Sequence, residues 1–313
     1  MEIYRTNDGK VTKFVHLDGS ETAIKNNYTC DTDGGTHGTV LNKYNVFISS
    51  DVGCPISCKF CYLTTKKFGH YRLSADEVFT NVIEAIEGQI KYDSSLRDKY
   101  LKISWMGMSD PMIEQHKTLE VTDKLIDYVI SNNLCCGIDG IDMATTLPFN
   151  NFTVNSLNGM LYELYNTIIN NYAKLNPERN YRNPIRIFYS LHAGTANSRN
   201  EIIPTKLKLH DAINRLGLLN KSSCALVYHY IILDGINDLR EDIEGIINIV
   251  NSSNAELRIL RYNKCPGSIY NESKKFDEIV AEMKKRVYFI KVQASPGSEI
   301  FASCGQFLMG TMK

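Results

Sequence analysis

No apolar run in these 313 residues reaches the roughly 20 consecutive residues that a bilayer-spanning helix requires. The opening stretch, Met1 to Lys10, is polar and charged, with no apolar centre of a secretory leader. A non-secreted, cytoplasmic protein without a membrane anchor is the expectation. Net charge is missing too: 35 Lys and Arg balance 35 Asp and Glu. That balance excludes a whole-protein basic field of the kind that drives indiscriminate nucleic-acid binding, so any RNA contact must come from local patches. An export context for disulfides is also lacking, although there are nine cysteines. Three of them fall between Cys54 and Cys61, and reduced thiols fit such a chain better than bridges do.

What is present is a hydrophobic content of 43%, enough for a large core in either two ordinary domains or one long α/β barrel-like domain. After a short N-terminal β-rich segment, set at residues 1–44, β-branched apolar runs alternate with amphipathic helical stretches. Such alternation implies parallel strands joined by crossover helices. Strands are predicted over 45–50, 101–106, 138–144, 185–191, 225–233 and 256–261, which makes an incomplete, TIM-like (β/α)6 barrel spanning 45–313. Ser74 and Glu77 form a capping box ahead of Val78, Val82, Ile83, Ile86 and Ile90, and Asp238 with Glu241 repeats that start signal. Two more helices are predicted, over 157–172 and 276–283. The Asn- and Pro-rich stretch 173–184 and the glycine-punctuated 26–38 read as loops.

Chemistry enters at Cys54-Pro-Ile-Ser-Cys58-Lys-Phe-Cys61, directly after the first barrel strand, at the end where barrel folds place their sites. Three thiolates on one tight loop can each bind one iron of a four-iron cubane, leaving the fourth iron open to chelate the amino and carboxylate groups of S-adenosylmethionine (SAM). Phe60 would cover the adenine side. A zinc site wants four ligands at paired spacings, and no partner CxxC or HxxxH follows.

Further blocks resemble the RlmN-type radical SAM adenine methyltransferases and their Cfr relatives. Ser49 to Cys54 resembles their approach to the cluster, and Met106 to Pro111 their MGMGEP. Ser190-Leu191-His192-Ala193 resembles SLHA, and Asn237-Asp238 matches their ND pair. Asn263 with Pro266 and Gly267 resembles NPFPG, and Ala302 to Gln306 the C-terminal ACGQ. The similarity runs from about Asn7 to Gly310 and lacks the family's N-terminal helical accessory domain.

The resemblance implies cluster ligation by Cys54, Cys58 and Cys61, and SAM binding by Ser109, Asp110, Ser190, Leu191, His192 and Asn263. It implies that Cys304 carries the methyl group as a thioether to an adenine of ribosomal or transfer RNA, with Glu21 near the target base. A flavodoxin- or ferredoxin-like protein would supply electrons.

The chain departs from the family at Phe47, which stands where a second catalytic cysteine resolves the enzyme–RNA adduct. Cys30 and Cys265 are the alternative thiols. Asp110 is one methylene shorter than the family's glutamate, and Ala144 to Leu147 replaces STSG. These departures keep two other functions open: radical chemistry on a nucleotide, a peptide or another RNA position without methyl transfer, and an inactive RNA-binding protein with a structural cluster. Basic groups available for phosphate are Lys66, Lys67 and Arg72, then Arg179, Arg182 and Arg186, then Lys284 to Arg286. Charge runs of this kind also serve simply as solvated faces.

Overall fold

The computed structural model describes residues 1–26, 42–148, 154–166, 184–219, 221, 224–293, 295–303 and 305–307. Ten strands form one sheet in sequence order. The first three, β1 (Glu2–Arg5), β2 (Val11–Val15) and β3 (Glu21–Asn26), are antiparallel to one another, and β3 is antiparallel to β4 (Lys43–Phe47). From β4 onward every pairing is parallel: β5 (Tyr100–Trp105), β6 (Gly137–Thr145), β7 (Ile185–Ser190), β8 (Ala225–Ile231), β9 (Glu256–Leu260) and β10 (Ile290–Gln293). The 44/45 boundary thus falls inside β4, in a sheet that continues across it.

The helices are the crossovers: α1 (Tyr62–Thr65) and α2 (Ala75–Tyr92), α3 (Gln115–Ser131), α4 (Val154–Asn166), α5 (Ala196–Ile202) and α6 (Leu209–Gly217), α7 (Arg240–Ser253), and α8 (Phe276–Arg286). This is the partial (β/α) barrel the alternation implies, with the six expected strands extended by β10. That last strand is four residues long and was not anticipated, because Ile-Lys-Val-Gln is too short and mixed to show a period. None of the described helices is long and apolar enough to cross a membrane.

Helix α2 starts as its sequence demands: the Ser74 hydroxyl accepts from Glu77 N, and the Glu77 carboxylate accepts from Ser74 N. The Asp238 start signal is a correction. Helix α7 begins after Leu239 without a side-chain cap, while Asp238 accepts from Gly235 N and the Ser273 hydroxyl, closing a turn and a loop contact instead. The unpredicted α3 buries Thr118, Val121, Thr122, Leu125, Ile126 and Val129. Its stripe is helical in spacing, but two positions are threonines. Their hydroxyls are satisfied locally, Thr118 donating to Pro111 O and Thr122 to Thr118 O, which allows their burial. The expected helix over 157–172 is described only as far as Asn166. The predicted loops 173–184 and 26–38 lie outside the described residues apart from Pro184 and Asn26.

The sheet's outer face meets the helices in one large apolar core, with Trp105 buried and its indole N–H donated to Thr122. The inner face is polar at its lower end. Asp142 on β6 takes a two-pronged contact from Arg186 on β7, at 2.8 and 2.7 Å, and Lys102 on β5 at 2.6 Å. Burial alone would raise the Asp142 pKa, and the two cations reverse that and hold it well below the ordinary range. Arg186 is therefore a barrel-interior group and not a surface phosphate contact. Lys284 to Arg286 lie at the end of α8 that leads into β10, away from the strands' C-terminal ends, and Arg286 pairs with Glu244 and Glu282.

Candidate active site

At the C-terminal ends of the strands, loops enclose an open cavity, part of it continuous with solvent. Cys54, Cys58 and Cys61 all line it. Their loop is fixed by the chain before it. Ser49 donates to Glu21 O and accepts from Met108 N, Val52 pairs through its backbone with Tyr71, and Gly53 takes a φ of +70° with its α-carbon against Gly69. A β-carbon at Gly53 would sit 2.0 Å from Gly69 O, so only glycine turns the chain here.

Burial pushes the Cys54 thiol up to about 12 and raises Cys58 as well, so bare thiolates are disfavoured in this setting. Bound iron would reverse that balance. Among the described residues no three His, Cys, Asp or Glu side chains gather tightly enough to hold a single metal ion. Three cysteines on one short loop that line one cavity suit a cubane, in which each thiolate takes its own iron. The donor set fits a four-iron cluster.

The other expected positions divide. Ser109, Asp110, Ser190 and His192 line the cavity, with Phe60 set edge-on to the His192 ring at 5.1 Å. Asp110 accepts from Thr145 Oγ1, Thr146 N and Thr146 Oγ1 at one oxygen and from Met112 N at the other. Burial raises its pKa against those donors. Its carboxylate is thus mainly a tie between the loops after β5 and β6, with one acceptor position left at Oδ1. Ser109 Oγ donates to Asp51, which Lys117 also holds at 2.6 Å. His192 Nδ1 accepts from Ile231 N, and burial keeps the imidazole neutral.

Leu191 turns into the main core instead of the cavity. Asn263 stands behind the lining, its amide donating to Ser295 Oγ. Glu21 pairs with Lys13 on the hairpin and does not line the cavity.

Cys304 itself lies outside the described residues, as does Cys30, but the neighbours of Cys304 are firmly held. Gly305 lines the cavity, and its carbonyl accepts from Tyr62 N, one residue beyond Cys61. Ser303 donates to Ser295 O and Pro296 O. Two buried lysines on the hairpin reach the same segment: Lys13 donates to Phe301 O at 2.9 Å and Lys25 to Pro296 O at 3.1 Å. Phe47 lines the cavity with the Lys25 ammonium 4.6 Å above its ring, and Cys265 is buried with its thiol 3.9 Å from Gly305 O.

Lining residues that sequence reasoning missed include Lys25, His229 and Gln293. The available signal was a polar side chain at an inward position of an otherwise apolar strand, as at His229 in Ala225–Ile231. Backbone strain gathers here too. Ser57, Ser109, Leu147, His192 and Phe301, all non-glycine, have φ between 50° and 69° on loops around the cavity.

No family model matches the chain. Among solved structures, a radical SAM methyltransferase from Sphaerobacter thermophilus superposes with a TM-score of 0.71 at 18% identity, covering 98% of this chain and 80% of that one. Together with the cysteine loop at the strand ends, this fold defines a radical SAM partial barrel. Among curated relatives, the dual-specificity RNA methyltransferases RlmN of Hyphomonas neptunium and Paracoccus denitrificans are 25% and 24% identical over 85% and 86% of the chain. The chain spans 63% and 65% of their lengths. Its sequence is thus similar to RlmN-type methyltransferases over most of its length, and its fold to that of a radical SAM methyltransferase.

Proposed function

We propose that the protein is a radical SAM methyltransferase that modifies an adenine of RNA, with Cys304 as the methyl carrier. The observation that carries this is the anchoring of the Cys304 segment on the cluster loop, through the hydrogen bond from Tyr62 N to Gly305 O at 2.8 Å. A cluster bound by Cys54, Cys58 and Cys61, with SAM on its open iron, would supply a 5′-deoxyadenosyl radical when reduced by a flavodoxin- or ferredoxin-like donor. Ser109, Ser190 and His192 orient the cofactor through their cavity-facing groups. Asp110 shapes the loops and offers one carboxylate oxygen to an ammonium. The Cys304 thiol accepts a methyl group and releases its proton. The resulting S-methyl would then give a hydrogen atom to the 5′-deoxyadenosyl radical, its carbon would bond to the electron-poor ring, and the ring would return one electron and lose one proton. A second thiol, for which Cys265 is the candidate, would bond to the Cys304 sulfur as a disulfide and leave the carbon to take up a proton as methyl.

RNA binding has local support. Lys59, Lys66, Lys67, Lys206 and Lys208 are exposed on the connections after β4 and β7, and none is ion-paired among the described residues. Such lysines suit phosphates and imply salt-sensitive binding. The deciding experiment incubates the anaerobically reconstituted protein with methyl-deuterated SAM, then with RNA. Label on Cys304 and afterwards on adenine is expected, and both are lost in Cys304→Ala. An unlabelled Cys304 alongside 5′-deoxyadenosine formation overturns the proposal.

Phe47 favours a second reading, radical chemistry on another substrate without methyl transfer. An aromatic ring under the Lys25 ammonium has no thiol with which to release an adduct.

A further inference from the structure

The cavity contains two polar atoms that meet no hydrogen-bonding group among the described residues: His229 Nε2 on β8 and Gln293 Oε1 on β10. Both atoms are shut off from solvent, and both side chains line the cavity. His229 is 6% exposed, and its ring packs on Phe188 at 4.8 Å. In the β-ladder it lies opposite Ser190 on one side and Arg258 on the other. Gln293 is opposite Leu260, which separates the two strands and also lines the cavity.

Buried polar atoms without partners are rare, because desolvation is uncompensated. Where they line an open cavity, a ligand is the natural partner. The imidazole is neutral: burial, with help from Arg258 and Arg186 and against the opposing pull of Asp142, lowers its pKa to about 3. It therefore offers one N–H and one bare ring nitrogen. The Gln293 oxygen can only accept.

We infer that His229 and Gln293 recognise the amine-bearing edge of an adenine ring. Gln293 Oε1 accepts from the exocyclic amine, and His229 Nε2–H donates to a ring nitrogen. Guanine and hypoxanthine present a carbonyl where adenine has its amine, and that oxygen would face the Gln293 oxygen. The inference rests on the proposal that the cavity takes SAM and a target adenine, and either molecule could supply the ring.

The test uses reconstituted holoenzyme, wild type and the variants His229→Phe, Gln293→Leu and Gln293→Glu. Anaerobic calorimetry measures the affinity for SAM, then for adenosine and inosine added to SAM-saturated protein. If the SAM adenine is the partner, the SAM Kd rises about tenfold in His229→Phe and Gln293→Leu. If the target base is the partner, SAM binding is unchanged, while the preference of the wild type for adenosine over inosine disappears in the variants. Iron content and thermal midpoint guard against misfolding. Gln293 is only part-buried, so its variants remain informative if His229→Phe does not fold. Affinities within twofold of wild type in both arms overturn the inference. Neither arm requires methyl transfer. A wild type that binds as described but never methylates RNA defeats the proposed function and leaves this pair standing.

Discussion

At the scale of single residues, charges and histidines buried in the barrel set the measurable behaviour. Asp142 depends on Arg186 and Lys102, and removing one cation leaves a buried carboxylate half-compensated. Arg186→Met is expected to lower unfolding stability by about 3 kcal/mol in urea titrations, because breaking a buried pair exposes the remaining charge to its full desolvation cost. A loss under about 0.5 kcal/mol would mean that water reaches Asp142. His16 carries a pH signature. Burial lowers its pKa to about 4, against Asp18, which raises it, and its Nε2 lies 3.0 Å from Thr22 Oγ1. The folded state holds fewer protons than the unfolded chain between pH 6.5 and pH 4, so stability falls as pH drops through that window and levels off below it. Between pH 7 and pH 5 the wild type should lose about 2 kcal/mol more than His16→Gln does. Equal losses would show that another group carries the acid sensitivity.

Elements are held by local signals that only partly coincide with those visible in the sequence. The capping box of α2 is formed as written, and Ser74→Ala should cost about 1 kcal/mol, read as a lower denaturant midpoint at unchanged slope. Asp238, by contrast, does not cap α7, so Asp238→Ala acts through the turn and loop it closes, not through the helix start. The crossover α3 escaped notice because its buried face includes threonines, whose hydroxyls are satisfied by the nearby carbonyls of Pro111 and Thr118. Strand β10 escaped because its four residues gain meaning only beside β9. These are tertiary overrides of weak local patterns.

At the scale of the whole molecule, the antiparallel hairpin and the C-terminal segment close the side of the barrel that parallel strands leave open. Val11, Ala23, Phe47, Tyr62, Met108, Ile300, Ala302 and Phe307 share one apolar cluster there. Lys13 and Lys25 bind the carbonyls that flank it. In Lys13→Met with Lys25→Met, cluster loading should persist while Cys304 alkylates several-fold faster with a small haloacetamide, timed by mass spectrometry. Unchanged alkylation would remove the lysines from any role in holding that segment. Lys13→Arg, which keeps the charge, should restore much of the protection.

The chain's own sequence determined the alternation of strands and helices, the cysteine loop at a strand's C-terminal end, and the capped α2, because each is written in short-range spacing. Tertiary structure decided the rest. Arg186 looked like a surface cation, and its strand turned it inward onto Asp142. Leu191 lay within a site-like block, and the turn after β7, with His192 at a φ of 51°, sent it to the core while its neighbours Ser190 and His192 reached the cavity. His229 and Gln293, 64 residues apart by their numbering, became members of one cavity only through the order β8-β9-β10. Spacing along a chain fixes what neighbours can do together. Which distant side chains share a buried space, and which of their polar atoms are left for a ligand, depends on strand order and register.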